Sequence, residues 1–158
     1  MATPRKITVL GSGIMGPGIA AVFARSGADV TVYDVVQDAL DRAAEGTKMA
    51  AGVLDALGAP RGDRQGELAF TTDIAEALAG AEYVLEAVPE REDLKKQVIA
   101  QVEELVGPEV VIASNTSGIP ITKLAEGMAH PERFVGMHWS NPPHVIPMIE
   151  VVPGEQTS

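Results

Sequence analysis

The stretch KITVLGSGIMGPG, residues 6–18, decides the fold of this chain. Its first five residues form an apolar, β-branched run, which predicts a buried β-strand. Gly11, Gly13 and Gly16 then let the backbone turn sharply and approach a ligand, because they carry no Cβ. A helical pattern follows Gly13, and the free N–H groups and dipole of a helix N-terminus favour an anion. Strand, glycine turn and helix together predict a phosphate-binding site with the spacing G-x-G-x-x-G.

A second predicted strand, DVTVY at residues 29–33, ends on Asp34. An acid about 20 residues beyond a glycine turn of this kind hydrogen-bonds the ribose hydroxyls of a dinucleotide. Val35 and Val36 follow Asp34, so no adjacent arginine is available for the 2′-phosphate of NADP. The predicted cofactor is therefore NAD. The alternative is an incidental glycine turn followed by an unrelated strand-end acid.

The composition is that of a soluble globular protein, with 46% hydrophobic and 22% charged residues. A length of 158 residues predicts one domain with a sizeable core. The net charge of −10 argues against nucleic acid as a partner, because nucleic acid requires a basic face. No apolar run is long enough to span a membrane, and the first strand begins too early to follow a signal peptide. With no cysteines for disulfides, the sequence predicts a cytoplasmic protein without a membrane partner.

Strands and helices alternate along the chain. Further strands are predicted near residues 69–71, 83–88, 109–113, 134–137 and 148–152, and further helices over 36–57, from Asp73, over 92–106 and near Pro120. Gly46 and Gly52 could divide the 36–57 segment into two helices. This alternation predicts an α/β fold with a doubly wound, mostly parallel, Rossmann-like sheet.

Glycine or polar residues follow five of the predicted strands. They are Gly11, Asp34, the pair Pro89-Glu90, the run Asn115-Thr116-Ser117, and His138. Because ligands bind at the carboxyl ends of the strands in such sheets, we expect these residues to form one site.

Three motifs extend this pattern: EAVPE at residues 86–90, SNTS at 114–117 and GMHWSNP at 136–142. With the glycine turn and EVV at 150–152, they make the chain resemble the L-3-hydroxyacyl-CoA dehydrogenase family over nearly its whole length. The resemblance implies an NAD-binding domain at residues 1–158 and an enzyme that oxidises a 3-hydroxyacyl-CoA to the 3-oxoacyl-CoA in fatty acid metabolism. It also implies a second, helical domain, absent from this chain, that completes the substrate site and makes the two-domain parent a homodimer.

Oxidation of a secondary alcohol requires a base for the hydroxyl proton, and histidine suits that role. A carboxylate on the other ring nitrogen would fix the tautomer and stabilise the imidazolium. The resemblance implies His138 as this base and Glu150 as its partner, although a strand-end histidine can also simply cap a loop. The three histidines have no zinc-ligand spacing, so no metal is predicted.

The resemblance assigns further residues to cofactor and substrate. Ser117 is implied to bind the substrate and help place the nicotinamide, and Asn141 to bind the substrate; either could instead be structural. Glu90 and Lys95 are implied to contact the nicotinamide ribose, unless they are exposed charges on the first turn of a helix. The other predicted cofactor contacts are Gly11, Gly13, Ile14, Met15, Gly16, Asp34, Ala87, Val88 and Asn115.

Two departures from the family pattern leave the substrate open. Trp139-Ser140 stands where the family has two aromatic residues, and the segment from Asp34 to Thr72 is short where the family carries contacts to coenzyme A. Three cations there, Lys48, Arg61 and Arg64, could contact phosphates or form a solvated face. The NPPHVIP segment, residues 141–147, is also similar to gulonate and carnitine dehydrogenases, which act on free hydroxy acids.

A non-catalytic NAD-binding fragment is the remaining alternative. Because the helical domain is absent, we expect this chain to fold and bind NAD but to turn over weakly or not at all. We also expect an exposed apolar patch near Trp139 and Ile146.

Overall fold

The computed structural model describes residues 3–158 and contains one seven-stranded sheet with helices on both faces. The strands are β1 (Lys6–Leu10), β2 (Asp29–Tyr33), β3 (Leu68–Thr71), β4 (Tyr83–Glu86), β5 (Val111–Ser114), β6 (Phe134–Trp139) and β7 (Ile149–Pro153). The helices are α1 (Gly16–Arg25), α2 (Gln37–Ala56), α3 (Ile74–Leu78), α4 (Glu92–Leu105) and α5 (Ile121–Leu124), with a 3₁₀ turn at Pro131–Arg133. No helix in this part of the chain is long and apolar enough to cross a bilayer.

The strand order is β3-β2-β1-β4-β5-β6-β7, and every neighbouring pair is parallel except β6 and β7. The chain therefore winds outward in both directions from β1 and β4. At the carboxyl ends of these two strands the chain leaves in opposite directions, and a crevice opens at this switch point. The amide of Gly11 donates to Tyr33 O (2.8 Å), and the amide of Ala87 donates to Leu10 O (2.7 Å). The prediction of a doubly wound, mostly parallel sheet is confirmed.

The core consists of two apolar clusters, one on each face of the sheet. Successive residues of β1, Val9 and Leu10, are fully buried in opposite clusters, as expected for parallel strands covered on both faces. Helices α1 and α2 cover one face through residues such as Ile19 and Leu40. Helices α3, α4 and α5 cover the other.

Helix α2 is continuous from Gln37 to Ala56, so the division suggested at Gly46 and Gly52 is wrong. Its buried side packs on α1, and a Cβ on Gly46 would lie 3.3 Å from the Cβ of Pro17. Gly46 therefore serves the close approach of two helices. Tertiary packing overrides the weak helix propensity of glycine at both positions.

The expected apolar patch is only partly correct. Trp139 is 4% exposed, because its ring packs edge-to-face on Phe23 with the ring centroids 5.4 Å apart. The exposed apolar residues of this region lie on β7 and the loop before it, and they include Ile146, Ile149 and Val151.

Substitution of Gly52 by alanine should stabilise the protein. A Cβ at this position meets no atom within 4 Å, and alanine is favoured over glycine inside a helix by about 0.5–1 kcal/mol. We expect Gly52→Ala to raise the free energy of unfolding by that amount in urea denaturation. Gly46→Ala is the matched control and should gain less or lose stability, because its Cβ meets Pro17. An equal gain in both variants would contradict this account of α2.

Candidate active site

The three glycines of the first turn have three different structural roles. Gly11 has a φ of 104°, and a Cβ on it would lie 2.6 Å from the carbonyl oxygen of Ala87. A Cβ on Gly16 would clash with the carbonyl oxygen of Gly11, so glycine here lets α1 begin directly behind the turn. A Cβ on Gly13 meets nothing within 4 Å. The space in front of Gly13, beside the N-terminus of α1, is therefore open to a ligand.

A cleft of about 440 Å³ lies in front of this turn and is called the cofactor cleft below. Its lining includes the residues that the sequence predicted for the cofactor: Gly11, Gly13, Ile14, Met15, Asp34, Ala87, Val88, Glu90, Lys95 and Asn115, together with Ser117. Gly16 is the exception, because it is buried behind the turn. Residues from four strand ends thus meet at one edge of the sheet.

Asp34 is held by Ser12, which the sequence analysis did not single out. The amide and the hydroxyl of Ser12 both donate to Asp34 Oδ2, at 2.9 and 2.6 Å, and the amide of Val36 donates to Oδ1 at 3.2 Å. Partial burial acts to raise the pKa of Asp34, but the hydrogen bonds from Ser12 and from the amides of Val36 and Val35 outweigh it and lower the pKa. Asp34 is therefore a charged acceptor with a fixed orientation.

Arg42 is a second residue that the sequence analysis missed. It lies on the second turn of α2 and lines a depression of about 370 Å³ together with Asp34, Ser12 and Gly13. The prediction considered only the residues directly after Asp34. Because residues three and four apart share one face of a helix, Arg42 lies with Ala39 and Ala43 on the face of α2 that lines this depression. Arg42 adds a positive charge there.

Glu90 joins the turn after β4 to the turn after β5. Its Oε1 accepts hydrogen bonds from the Thr116 hydroxyl (2.6 Å) and from the amides of Ser117 (2.9 Å) and Gly118 (3.1 Å). Burial acts to raise the pKa of Glu90, but these hydrogen bonds and the nearby charge of Lys95 lower it overall.

Lys95 is fully buried, so the alternative of an exposed helix charge is wrong. Its ammonium lies 2.7 Å from Glu86 Oε1 and 3.4 Å from Glu90 Oε2, and it donates to Val88 O at 3.0 Å. The end of the first turn of α4 brings Lys95 against the end of β4, and it lines the cofactor cleft from inside the protein.

His138 and Glu150 are directly opposite each other in the antiparallel pair β6–β7. His138 Nδ1 lies 2.7 Å from Glu150 Oε2. Since an ionised carboxylate only accepts hydrogen bonds, Nδ1 carries the proton, and Nε2 of a neutral ring is an acceptor. The pair is accessible, with side chains 33% and 60% exposed.

A second cleft of about 230 Å³ lies beside this pair and is called the histidine cleft below. Its lining includes Ser117, His138, Glu150, Thr116, Pro120 and Ile121. Ser117 lines both clefts, so it lies between the cofactor cleft and His138.

The two predicted asparagines differ in their surroundings. Asn115 Oδ1 accepts from the amide of Trp139 at 2.8 Å, which ties the end of β5 to β6. Asn141 is exposed in the loop after β6 and lines neither cleft, so its implied substrate contact remains a prediction. Among residues 3–158 there is no group of three or more side chains suited to a metal ion.

The residues present fit NAD. The open space at Gly13 and the free amides at the start of α1 suit a pyrophosphate, and Asp34 suits a ribose diol.

Comparison with known proteins supports this fit. Residues 6–158 match the family described as 3-hydroxyacyl-CoA dehydrogenase, NAD binding domain. The 5-formyl-3-hydroxy-2-methylpyridine 4-carboxylate 5-dehydrogenase of Mesorhizobium japonicum is 50% identical over 155 residues, which cover 98% of this chain and 50% of that protein. A probable 3-hydroxybutyryl-CoA dehydrogenase of Deinococcus radiodurans is 41% identical, covering 97% of this chain and 56% of that protein. An L-carnitine dehydrogenase of Streptomyces coelicolor is 39% identical, and the match covers 98% of this chain and 48% of that protein.

Solved structures agree. The crystal structure of a 5-formyl-3-hydroxy-2-methylpyridine 4-carboxylic acid 5-dehydrogenase, an NAD⁺-dependent dismutase, superposes with a TM-score of 0.95 at 49% identity, covering 99% of this chain and 51% of that one. The crystal structure of the 3-hydroxybutyryl-CoA dehydrogenase of Escherichia coli K12 gives a TM-score of 0.85 at 38% identity, and the match covers 99% of this chain and 34% of that one. The chain thus spans about half the length of the curated relatives named here.

Gly13→Ala should weaken NAD binding without weakening the fold. Its methyl group would occupy the open space in front of α1, where the pyrophosphate must approach. We expect calorimetric titration to show at least a tenfold higher Kd for NAD, with no fall in the free energy of unfolding. Gly52→Ala adds the same methyl group in open space far along α2 and should leave the Kd unchanged. Wild-type affinity in Gly13→Ala would show that the pyrophosphate does not approach this turn.

Asp34 should make the chain prefer NAD to NADP, because its charge repels a 2′-phosphate. A hydrogen bond to a charged group contributes roughly 1.5–3 kcal/mol, so Asp34→Ala should weaken NAD binding about tenfold or more. With Asp34 removed, Arg42 is free to attract the 2′-phosphate, and NADP affinity should rise. Adding Arg42→Ala should cancel that rise in the same titrations. Equal wild-type affinity for the two cofactors would contradict this role of Asp34.

Three features of the structure suit a dinucleotide: the crevice at the switch point, the open space at the glycine turn and the oriented acid after β2. The family match over nearly the whole chain agrees with them. The chain belongs to the 3-hydroxyacyl-CoA dehydrogenase family, and residues 6–158 match the NAD-binding domain of that family.

Proposed function

We propose that this chain serves an NAD-dependent dehydrogenase that acts on a hydroxyl of a small-molecule substrate, with His138 as the general base. The observation that carries the proposal is the 2.7 Å contact between His138 and Glu150 at the wall of the histidine cleft. When bound, NAD supplies the hydride acceptor.

His138 is prepared for proton transfer by its partner. Glu150 holds the Nδ1–H, so the lone pair of Nε2 is available to take the proton of a substrate hydroxyl. The carboxylate also stabilises the imidazolium that results, while the proton itself stays on the ring.

Ser117 is proposed to position the substrate oxygen. Its amide donates to Glu90, and among the hydrogen bonds of residues 3–158 its hydroxyl has no partner. Because Ser117 lines both clefts, that hydroxyl can bind an oxygen placed between the cofactor and His138.

The cofactor is proposed to lie across the switch point. Asp34 would hold the adenosine ribose beyond β1, and the amides around Gly13 would hold the pyrophosphate. A dinucleotide that spans the crevice then extends its nicotinamide half over the ends of β4 and β5, toward Val88, Glu90 and Ser117.

The first substrate candidate is a 3-hydroxyacyl-CoA, which the family and the D. radiodurans relative support. The second is a small free carboxylate, supported by the M. japonicum relative at 50% identity. Two cations considered for coenzyme A also favour the second candidate: Arg61 pairs with Asp55 at the end of α2, and Arg64 pairs with Asp29 at the start of β2. Both lie at the amino edge of the sheet, opposite His138.

A substrate panel separates these candidates. It contains 3-hydroxybutyryl-CoA, free 3-hydroxybutyrate, L-carnitine and the pyridine aldehyde of the M. japonicum relative, whose hydrate carries the hydroxyl that His138 would deprotonate. The panel is assayed with this chain and with a chimera in which the chain replaces the matching half of that relative. The substrate with the highest kcat/KM decides the class, and absence of NAD reduction with every substrate in the chimera would contradict the enzymatic proposal.

His138→Gln should lower kcat by about 10²–10⁴-fold in the most active of these proteins, because a general base contributes about that much. The Kd for NAD should change little, since His138 does not line the cofactor cleft. His130→Gln is the matched control: it removes an exposed histidine that also pairs with a glutamate, Glu132, and should leave kcat unchanged. An unaltered kcat in His138→Gln would reject the base, and a parallel loss of NAD affinity would assign His138 a structural role.

A further inference from the structure

Glu86 and Lys95 form an ion pair that is closed off from solvent. Their side chains are 0% and 1% exposed, and 2.7 Å separates Oε1 from Nζ. The desolvation of two buried charges can cost more than their attraction returns, and an apolar pair of similar size is often at least as stable. The stability of the fold therefore does not explain why charges stand at these two positions.

The contacts of the pair converge on Val88, which lines the cofactor cleft. Glu86 Oε1 accepts from the Val88 amide at 2.7 Å, and Lys95 donates to the Val88 carbonyl at 3.0 Å. Both polar groups of one backbone residue are thus held by the two members of the pair. This fixes the start of the turn that runs from β4 to α4.

A second set of contacts leads from the pair to the turn after β5. The Ser114 hydroxyl donates to Glu86 Oε2 at 2.5 Å and accepts from the Thr116 amide at 3.3 Å. Lys95 lies 3.4 Å from Glu90, whose other oxygen holds the turn at Thr116 and Ser117. Glu86 is therefore linked to both turns that face the proposed nicotinamide half, although it does not itself line the cleft.

We propose that Glu86 is a positioning residue for the cofactor, which places Lys95 and Val88 at the wall of the cleft. The buried pair increases the affinity for the nicotinamide half of NAD and contributes little to the stability of the fold. The inference rests on the cofactor placement given under the proposed function, but not on His138 or on the identity of the substrate. Its test measures binding and stability alone, so its failure is distinguishable from failure of the catalytic proposal.

The test replaces the pair by neutral residues of similar size, Glu86→Gln with Lys95→Met. The glutamine keeps an acceptor for the Val88 amide and a polar group for Ser114. We expect the urea midpoint of unfolding to stay close to the wild-type value while the Kd for NAD rises at least tenfold. ADP, which carries the adenosine and pyrophosphate without the nicotinamide ribose, should bind as tightly as before.

Two further variants sharpen the result. Lys96→Met with Glu126→Gln makes the same two changes in a neighbouring, more exposed ion pair that joins α4 to the turn after α5, and it should leave the Kd for NAD and ADP unchanged. Ser114→Ala, which removes only the hydroxyl that holds Glu86 Oε2, should weaken NAD binding by a smaller factor and leave ADP binding unchanged.

Three outcomes overturn the proposal. Wild-type NAD affinity in the neutralised pair would show that the charges do not act on the cofactor. An equal loss of NAD and ADP affinity would show a general distortion of the cleft. Failure of the neutralised pair to fold would show that the pair is required for stability.

Discussion

The site depends on the hydrogen bonds that hold β1 between β2 and β4. Because these strands are parallel, their carboxyl ends lie at one edge of the sheet, and the chain leaves that edge in opposite directions. The amides of Gly11 and Ala87 continue the pairing by one residue beyond each strand, donating to Tyr33 and Leu10. The glycine turn therefore lies against the β4 turn, and only a residue without a Cβ fits at Gly11.

The same hydrogen-bonding arrangement occurs three times at this edge of the sheet: a carboxylate accepts from a hydroxyl at or just after the end of another strand. Ser12 after β1 holds Asp34 after β2, and Ser114 at the end of β5 holds Glu86 at the end of β4. Thr116 likewise holds Glu90. Hydrogen bonds to a charged acceptor are short and strong, so each contact orients an acid and locks two loops together. The crevice walls are thus preorganised by the protein's own charges.

The sequence predicted the features that depend on local pattern and strand order. Strand ends, the acid after β2 and the start of a helix at Asp73 follow from spacing, and Asp73 caps that helix by accepting from the amides of Ala75 and Glu76. Burial was not predictable in the same way. Lys95 is buried against Glu86, across the turn from β4 to α4, and Trp139 is buried against Phe23 at the other end of the chain; helical or strand periodicity identifies neither partner. Arg42 lies eight residues after Asp34 and meets it only because the first turns of α2 fold back over the depression, which adjacency to Asp34 in the sequence does not show.

The open space at Gly13 has a thermodynamic consequence. The first amides of α1 and the space before them form a surface that is complete only when an anion occupies it. A ligand that binds the folded chain and not the unfolded one adds RT ln(1 + [L]/Kd) to stability, about 2.7 kcal/mol when its concentration is 100 times Kd. The fraction of this domain that is folded therefore depends on the concentration of free NAD, and loss of NAD lowers the stability of the domain.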